Sequence, residues 1–557
     1  MQEVISIQEG KMRLQEKLRR YSKQELWDEY CGFLNMSMDE YMTMQKRLVM
    51  EEIDLWCKSE LGRKILKGKQ PKTLEEFRAM VPLTTYEDYA DVLLRKDMGS
   101  LPGEAVLWIQ TTWEGGMHPM KVAPYTRSML DTYKRNVMAC FLLATGKKRG
   151  DFDISVTDHM LYALAPLPYA TGLLPLLIQE EIDIEYLPPV KEAVNMSFKE
   201  RNVKGFKLGM KKGIEYFFGL GSVTYFVSRS IASLQESGGK SSMAERLGSI
   251  SPKMLLRLMK AKRRCKEEGR GLLPKDLFTL KGFMCAGTDN WCYKDDLEEM
   301  WGIRPMEIFA GTEPTCVGTE TWSRNGMYFF PDACFYEFIP EDEMMKNKED
   351  ASYVPRTYLM NEVLPGEKYE IVVTVLKGGA FARYRVGDCY RCLGIGCKED
   401  GTKIPRFAYI DRVPWVIDIA GFTRITENSI RHSIELSGLQ IEDWFARKEY
   451  TRENRPQLHL YVEWKRDALA HAALSKEILR EHLSIYFKYL DQDYKDLKKI
   501  LGVDPLNITI VKCGTFCEFE HIYGHKIRKM NPPAHEAADF MALHHAVDSL
   551  QKGGYSG

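Results

Sequence analysis

Long apolar runs are missing from this 557-residue chain. The most apolar window, FKLGMKKGIEYFFGLGSVTYFV, is interrupted by lysines and a glutamate. Nothing approaches the ~18 uninterrupted apolar residues of a membrane span, so a simple span is excluded. An excess of either charge is also missing. Lys+Arg and Asp+Glu both number 78, and this balance gives no global field to attract nucleic acid or a membrane surface. Any anion site must therefore be a local arrangement of donors. The first residues, MQEVISIQEGKMRLQEKLRR, are charged throughout and lack the apolar core of a secretory signal, so a cytoplasmic protein is expected. Cysteine clusters are scarce. The 13 cysteines lie singly except for Cys389 and Cys392, with Cys397 following, and no second pair or histidine pair has matching spacing. Buried reduced thiols fit this pattern better than a metal site. Internal repeats and low-complexity tracts are absent too.

What is present is ordinary globular composition, 44% hydrophobic and 28% charged. The length exceeds what one core accommodates, so at least two domains are expected. Residues 9–65 carry apolar positions at helical spacing among Lys, Arg and Glu. LEEFRAM reads as a short helix ended by Pro82, with Thr84 or Thr85 placed to cap the next one. AVLWIQTT (105–112) reads as a strand opening into a glycine-containing loop, followed by a helix from Arg127 to Ala144. The region 190–275 reads as mostly helical, and its basic stretch MLLRLMKAKRRCKEEGR as a solvated face. From about 278 the β-branched and aromatic content rises, with Gly, Pro and Asp punctuation typical of sheet. After about 416, helix, strand, long helix and strand follow one another as a small α+β unit. The expected division is an N-terminal domain, 1–415, and a C-terminal domain, 416–557.

Four constellations can carry chemistry. The first is Gln110-Thr111-Thr112-Trp113-Glu114-Gly115-Gly116-Met117-His118-Pro119-Met120-Lys121, after a strand. Hydroxyls, glycines and a lysine in one loop can wrap phosphate, although many such turns are only turns. The second is Phe309-Ala310-Gly311-Thr312-Glu313-Pro314. Its carboxylate can hold Mg²⁺ beside a phosphate, and an N-cap with an acidic first turn is the equal alternative. The third is Arg383-Tyr384-Arg385-Val386-Gly387-Asp388 after the strand YEIVVTVL. Gly387 lets the backbone turn there, and Asp388 suits a ribose diol, though aspartate is common in such turns. The fourth is Gly514-Thr515-Phe516 followed by His525-Lys526-Ile527-Arg528-Lys529. A lysine on a mobile domain can be inserted beside a reacting phosphoryl group, while most exposed lysines do nothing.

In this order along the chain, the four constellations resemble the adenylate-forming superfamily. Within it the likeness is to the auxin-responsive promoter (Gretchen Hagen) family of acyl-acid amido synthetases. FRAMVPLTTYEDY, CFYEFIP, NEVLPGEKYEIVVTVLKGGAFARYRVGDCYRCLG, PRFAYIDR and GTFCEF…GHKIRKM carry it, over roughly 65–555. The resemblance implies an α/β fold, with a large N-terminal domain of mixed sheets and helices and a small mobile α+β C-terminal domain. It implies a ligase that uses ATP and Mg²⁺ to activate a small carboxylic acid as acyl-AMP. The acyl group then passes to an amine, plausibly an amino acid, with coenzyme A as the other possible acceptor.

Role by role, the resemblance implies that Thr111, Thr112, Gly115, Gly116 and Lys121 hold phosphate. Thr312 and Glu313 would contact the α-phosphate and Mg²⁺, and Tyr384 and Asp388 would bracket the nucleotide. Arg412, in Ile410-Asp411-Arg412, would reach ribose or phosphate, and Lys526 would act in adenylation beside the catalytic Glu313. Gly421-Phe422 and Arg424-Ile425 resemble the turn that opens the small domain. The phosphate loop departs from the family pattern, because Trp113 or Glu114 falls where small residues belong. A unit charge about 4 Å from a phosphate charge costs on the order of 4 kcal/mol at an effective dielectric near 20. Lys-Ile-Arg-Lys also replaces the family's Lys-x-Pro-Arg. Either the nucleotide is held differently, or the chain is a non-catalytic descendant that acts as a binding or scaffold protein.

Overall fold

The computed structural model describes residues 12–111, 118, 120–193, 196, 198–236, 251–421, 423–465, 472–485, 498 and 501–553. These fall into two compact units, residues up to 111 together with 120–410 in one, and His118 together with the residues from Asp411 onward in the other. The fold is mixed α/β in both.

The first unit opens with helices whose ends are written in the sequence. Met38–Lys58 starts at Ser37, which accepts from the Glu40 amide while the Glu40 side chain returns to Ser37. This is a capping box reinforced by Asp39 and Glu40 in the first turn. Tyr41, Gln45, Leu48, Val49, Glu52, Ile53 and Trp56 form its buried stripe at three- and four-residue spacing. Leu74–Met80 stops before Pro82, as expected. Thr85 receives the Asp88 side chain at the start of the next turn, whereas Thr84 is used for tertiary pairing described below.

The central sheet has seven strands in the order β4-β3-β5-β6-β7-β8-β9. β3 (His159–Ala163), β4 (Glu185–Leu187), β5 (Tyr216–Leu220), β6 (Gly282–Ala286) and β7 (Met306–Gly311) are parallel. β8 (Thr315–Thr319) and β9 (Tyr328–Phe329) continue it antiparallel. β5 falls inside the stretch read as mostly helical. Four of its five residues, Tyr216–Gly219, are buried, so it shows an apolar run rather than alternation. Helix Arg127–Thr145, capped by Thr126, is buried along nearly all of its length from Asn136 to Thr145 and packs on β6 and β8. β1 (Leu107–Gln110) and β2 (Val122–Tyr125) form a hairpin. A four-stranded sheet holds β10 (Cys334–Pro340), β11 (Lys368–Val375), β12 (Tyr384–Cys397) and β13 (Thr402–Arg412) in that order.

The second unit starts with the hairpin of β14 (Val416–Ile419) and β15 (Thr423–Thr426). Asp418 organises it, accepting from the Gly421 amide at 2.7 Å and from Arg424 at 3.3 Å. A sheet of β16 (Ile441–Tyr450), β17 (Pro456–Trp464) and β18 (Leu506–Val511) follows. Its core joins Phe445 and Tyr461 to Phe516, Phe519 and Phe540 from helices Thr515–Tyr523 and Ala534–Gly553. No helix among the described residues is long and apolar enough to cross a membrane.

Candidate active site

The β1–β2 hairpin positions the first candidate residues. The Thr111 amide donates to the Lys121 carbonyl at 2.9 Å, and the Lys121 amide returns to Thr111 Oγ1 at 3.0 Å. The two residues thus close the base of the loop. Its tip carries Thr112, Gly115 and Gly116, with Trp113 and Glu114; these five lie outside the described residues. The Lys121 ammonium sits 5.5 Å from the centre of the Tyr86 ring, a cation–π contact. Tyr86 OH donates to the Val122 carbonyl and accepts from the Val122 amide, which fixes the ring beside the hairpin. Burial pushes this phenol up to about 12. Sequence reasoning misses Tyr86; the one signal for it is an aromatic directly after Thr84-Thr85 in the family-like stretch.

Thr312 and Glu313 form the tight turn between β7 and β8, at the carboxyl end of β7. They do not begin a helix, so the N-cap alternative does not apply. The turn lies where the sheet changes from parallel to antiparallel pairing, beside a register shift at Phe309/Ala310. Carboxyl ends of strands at such switch points are common ligand positions in α/β sheets. Thr315, just after the turn, has φ 63°, a conformation rare for a β-branched residue. Tyr125 OH donates to the Thr312 carbonyl at 2.7 Å, tying β2 to the turn.

Glu313 is the centre of the cluster. Its side chain is nearly buried, accepts from Tyr384 OH at 2.9 Å and lies 3.9 Å from Lys121 Nζ. Loop base, β7 turn and β12 start therefore converge on one carboxylate. A carboxylate already drawing a cation and a phenol suits a phosphate-bearing ligand with a divalent ion. Mg²⁺ accepts one protein carboxylate and keeps several waters, so the donor set fits it.

Tyr384 is held from both sides. Thr84 pairs with it in a parallel bridge, its amide donating to Arg383 O and its carbonyl accepting from the Arg385 amide, both at 2.9 Å. The neighbouring arginines are structural. Arg383 makes a two-pronged ion pair to buried Glu337, with both contacts at 2.9 Å, and donates to the Arg78 and Val81 carbonyls. This over-determination holds Arg383 at φ 46°, a strained conformation worth roughly 1–3 kcal/mol. Arg385 grips Glu370 with two contacts, at 2.9 and 2.5 Å.

Asp388 does not sit in a turn after a strand, as the pattern suggests. It lies within β12, in a bulge where the register with β11 shifts between Glu370/Cys389 and Val372/Arg385. Gly387, at φ 80°, supplies the left-handed residue that the bulge needs. The bulge frees Asp388 from strict alternation, and its carboxylate accepts from Tyr409 OH at 3.3 Å.

Arg412 and Lys526 belong to the second unit. The Arg412 amide donates to Asp411 Oδ1, and Asp411 pairs with buried Lys448 at 3.0 Å. Lys526 is exposed on the segment after helix Thr515–Tyr523. Lys529, three residues on, is half-buried and paired with Asp443.

Residues 327–412, which include the block from CFYEFIP to PRFAYIDR, match the family described as GH3 family central domain. Two curated relatives from Nicotiana attenuata, jasmonoyl-L-amino acid synthetases JAR4 and JAR6, are 28% and 24% identical over 203 residues. The matched stretch covers 35% of this chain and spans only 32% of each relative's length. Among solved structures, the AtGH3.15 acyl acid amido synthetase in complex with 2,4-DB aligns with a TM-score of 0.51 at 15% identity, covering 94% of this chain and 97% of that one. A 2-hydroxyisobutyryl-CoA ligase in complex with 2-HIB-AMP and CoA aligns with a TM-score of 0.52 at 17% identity, covering 86% and 87%. At these identities the structural likeness speaks for the fold. The central segment of the chain thus matches the GH3 family central domain, and its α/β fold is shared with these solved synthetase and ligase structures.

Proposed function

We propose that the protein is an ATP-dependent ligase that activates a carboxylic acid as acyl-AMP and transfers the acyl group to an amine, most plainly an amino acid. The observation that carries this reading is the convergence of Lys121, Glu313 and Tyr384 at the base of the loop. In the first step a carboxylate oxygen attacks the α-phosphorus of ATP, and pyrophosphate leaves. In the second, an amine nitrogen attacks the acyl carbon, and AMP leaves. Thr111, Thr112, Gly115, Gly116 and Lys121 are assigned to the phosphates, and Thr312 to the α-phosphate. Tyr384, Asp388 and Arg412 are assigned to the nucleoside end. Glu313 would hold Mg²⁺, which when bound spreads the charge of the phosphate oxygens. Lys526 is assigned to adenylation. Residues 1–415 are taken as the nucleotide- and acyl-binding domain and 416–557 as the smaller mobile domain of a cytoplasmic enzyme.

The direct test is carboxylate-dependent exchange of pyrophosphate into ATP across a panel of acids. Exchange with at least one acid, lost in Asp388→Ala, is the expected result. A folded protein silent across the panel overturns the reading and leaves the binding or scaffold descendant, which the Trp113-Glu114 pair favours. The fold is shared with a CoA ligase, so discharge of acyl-AMP to amino acids against coenzyme A decides the acceptor. The GH3 central segment favours the amine.

A further inference from the structure

Away from the Glu313 cluster, the basic stretch MLLRLMKAKRRCKEEGR lies on helix Pro252–Glu267 of the first unit. The Met254 amide donates to the Ser251 hydroxyl at 3.3 Å and Pro252 occupies the first turn, so the helix start is fixed locally. Met254, Ala261 and Cys265 are buried and Leu258 is half-buried; their three- and four-residue spacing makes the inner face. The opposite face carries Leu256 and Met259, which are 60% and 59% exposed. By helical geometry Lys253 and Lys260 flank this apolar pair on one side, and Lys262 and Lys266 on the other.

The positive charges divide into two groups. Arg264 and Arg270 pair with the buried side chain of Asp276, and Arg257 donates to the Leu277 carbonyl at 3.2 Å. These arginines fasten the helix to the segment after it. Arg263 reaches Glu267 one turn on, at 3.1 Å. The four lysines are exposed and make no ion pair among the described residues. Residues 251–270 hold eight Lys and Arg against two Glu, in a chain whose total charge is zero. The field is therefore local, concentrated around Leu256 and Met259.

A merely solvated face has no use for two large apolar side chains at its centre, and nucleic acid gains nothing from them. A protein interface of ordinary size needs about 800 Å² from each partner around an apolar core, far more than two side chains provide. A lipid surface asks for less. A few apolar side chains enter the acyl boundary, while lysines extend on flexible stems to the phosphate headgroups.

We propose that helix Pro252–Glu267 docks on an anionic lipid surface, with Leu256 and Met259 inserted below the headgroups and Lys253, Lys260, Lys262 and Lys266 contacting them. The contact is peripheral and does not depend on the acyl-activating reading above.

The test is co-sedimentation of the full chain with vesicles of equal parts phosphatidylcholine and phosphatidylserine, against vesicles of phosphatidylcholine alone. Wild type should bind the anionic vesicles at least about tenfold more tightly than the neutral ones, with affinity falling as salt rises. Leu256→Ser/Met259→Ser keeps every charge, and its binding should fall at least about fivefold. Lys260→Glu/Lys266→Glu keeps the apolar pair and should abolish binding. All four positions are exposed, so both variants should melt at the wild-type temperature, which is measured alongside. Absence of binding to the anionic vesicles overturns the inference. Equal binding by wild type and the serine variant overturns it as well, because the attraction is then electrostatic alone. Binding to polyglutamate without binding to vesicles overturns it in favour of an acidic protein partner. Pyrophosphate exchange is read separately, so failure here leaves the ligase reading standing.

Discussion

The hydroxyl of Tyr384 donates to the Glu313 carboxylate at 2.9 Å, joining the start of β12 to the turn after β7 across 71 residues of sequence. Both side chains are buried or nearly so, and Lys121 completes the group from the hairpin. Tyr384→Phe removes one hydrogen bond and keeps the ring, so pyrophosphate exchange should fall by about tenfold. Glu313→Gln removes the charge that phosphate and Mg²⁺ chemistry needs, and should cost about 100-fold or more in kcat. Both are read from exchange kinetics at saturating ATP. An unchanged kcat in Glu313→Gln would contradict the assigned role.

Arg383 and Glu337 offer a test of architecture rather than chemistry. The pair is buried, with side chains 7% and 1% exposed, and Glu337 also accepts from Thr357 at 2.6 Å. Glu337→Gln strands a buried cation and should destabilise the protein by about 3–5 kcal/mol in urea unfolding. The double variant Glu337→Gln/Arg383→Met should lose less than the sum of the single losses. Strict additivity would show that the two side chains do not depend on each other.

These two neighbours of the site show what the sequence can and cannot convey. The hydroxyl-rich hairpin, the Thr312-Glu313 turn and Tyr384 are legible because each is a local pattern in a fixed chain order. The partners of Arg383 and Arg385 are not, since Glu337 and Glu370 lie 46 and 15 residues away and a charge in a motif does not announce a structural pairing. Asp388 reads as a turn residue because Gly387 suggests a turn, yet the same left-handed glycine serves a bulge inside β12. β5 is hidden among helices because a strand buried on both faces loses its alternation.

Lys526 and Lys529 separate function from stability within one short segment. Lys529 is paired with Asp443 and lies 5.3 Å from the Trp444 ring and 5.8 Å from that of Phe516, whereas Lys526 is exposed. Lys526→Ala should lower exchange by about 100-fold with an unchanged melting temperature. Lys529→Ala should do the reverse, lowering the melting temperature with a smaller kinetic effect. The pair of measurements, exchange rate and thermal unfolding, distinguishes the two lysines. A swap of the two patterns would move the assignment to Lys529.

Glu343 gives a pH-dependent stability. The Arg356 amide donates to its carboxylate at 2.9 Å and Tyr353 OH at 2.6 Å, and together with Lys346 they hold the carboxyl down from 4.5 to about 2. The folded value lies below the unfolded one. The stabilisation is therefore present above about 4.5 and is lost as the pH falls toward about 2. Discounted for its position near solvent, it should amount to about 1–2 kcal/mol at neutral pH. Glu343→Gln should be less stable than wild type by that amount at pH 7. The gap should narrow steadily in unfolding measurements taken below the unfolded value, and a gap independent of pH would reject the titration as its cause.

Glu114 decides between the ligase and the non-catalytic descendant. It falls in the loop whose base is Thr111 and Lys121, where the family pattern has small residues. A carboxylate directed at the triphosphate would oppose binding by on the order of 4 kcal/mol at about 4 Å, less with solvent screening. Glu114→Ser should then lower the KM for ATP by tenfold or more in the exchange assay, with the acid KM unchanged. If ATP affinity stays the same while exchange proceeds, Glu114 points away from the phosphates and the loop carries ATP through its backbone. If neither wild type nor Glu114→Ser binds ATP by calorimetry, Trp113→Gly in the same background tests the remaining steric obstacle. Recovery of binding there would mark the chain as a ligase fold whose loop has been closed by two side chains.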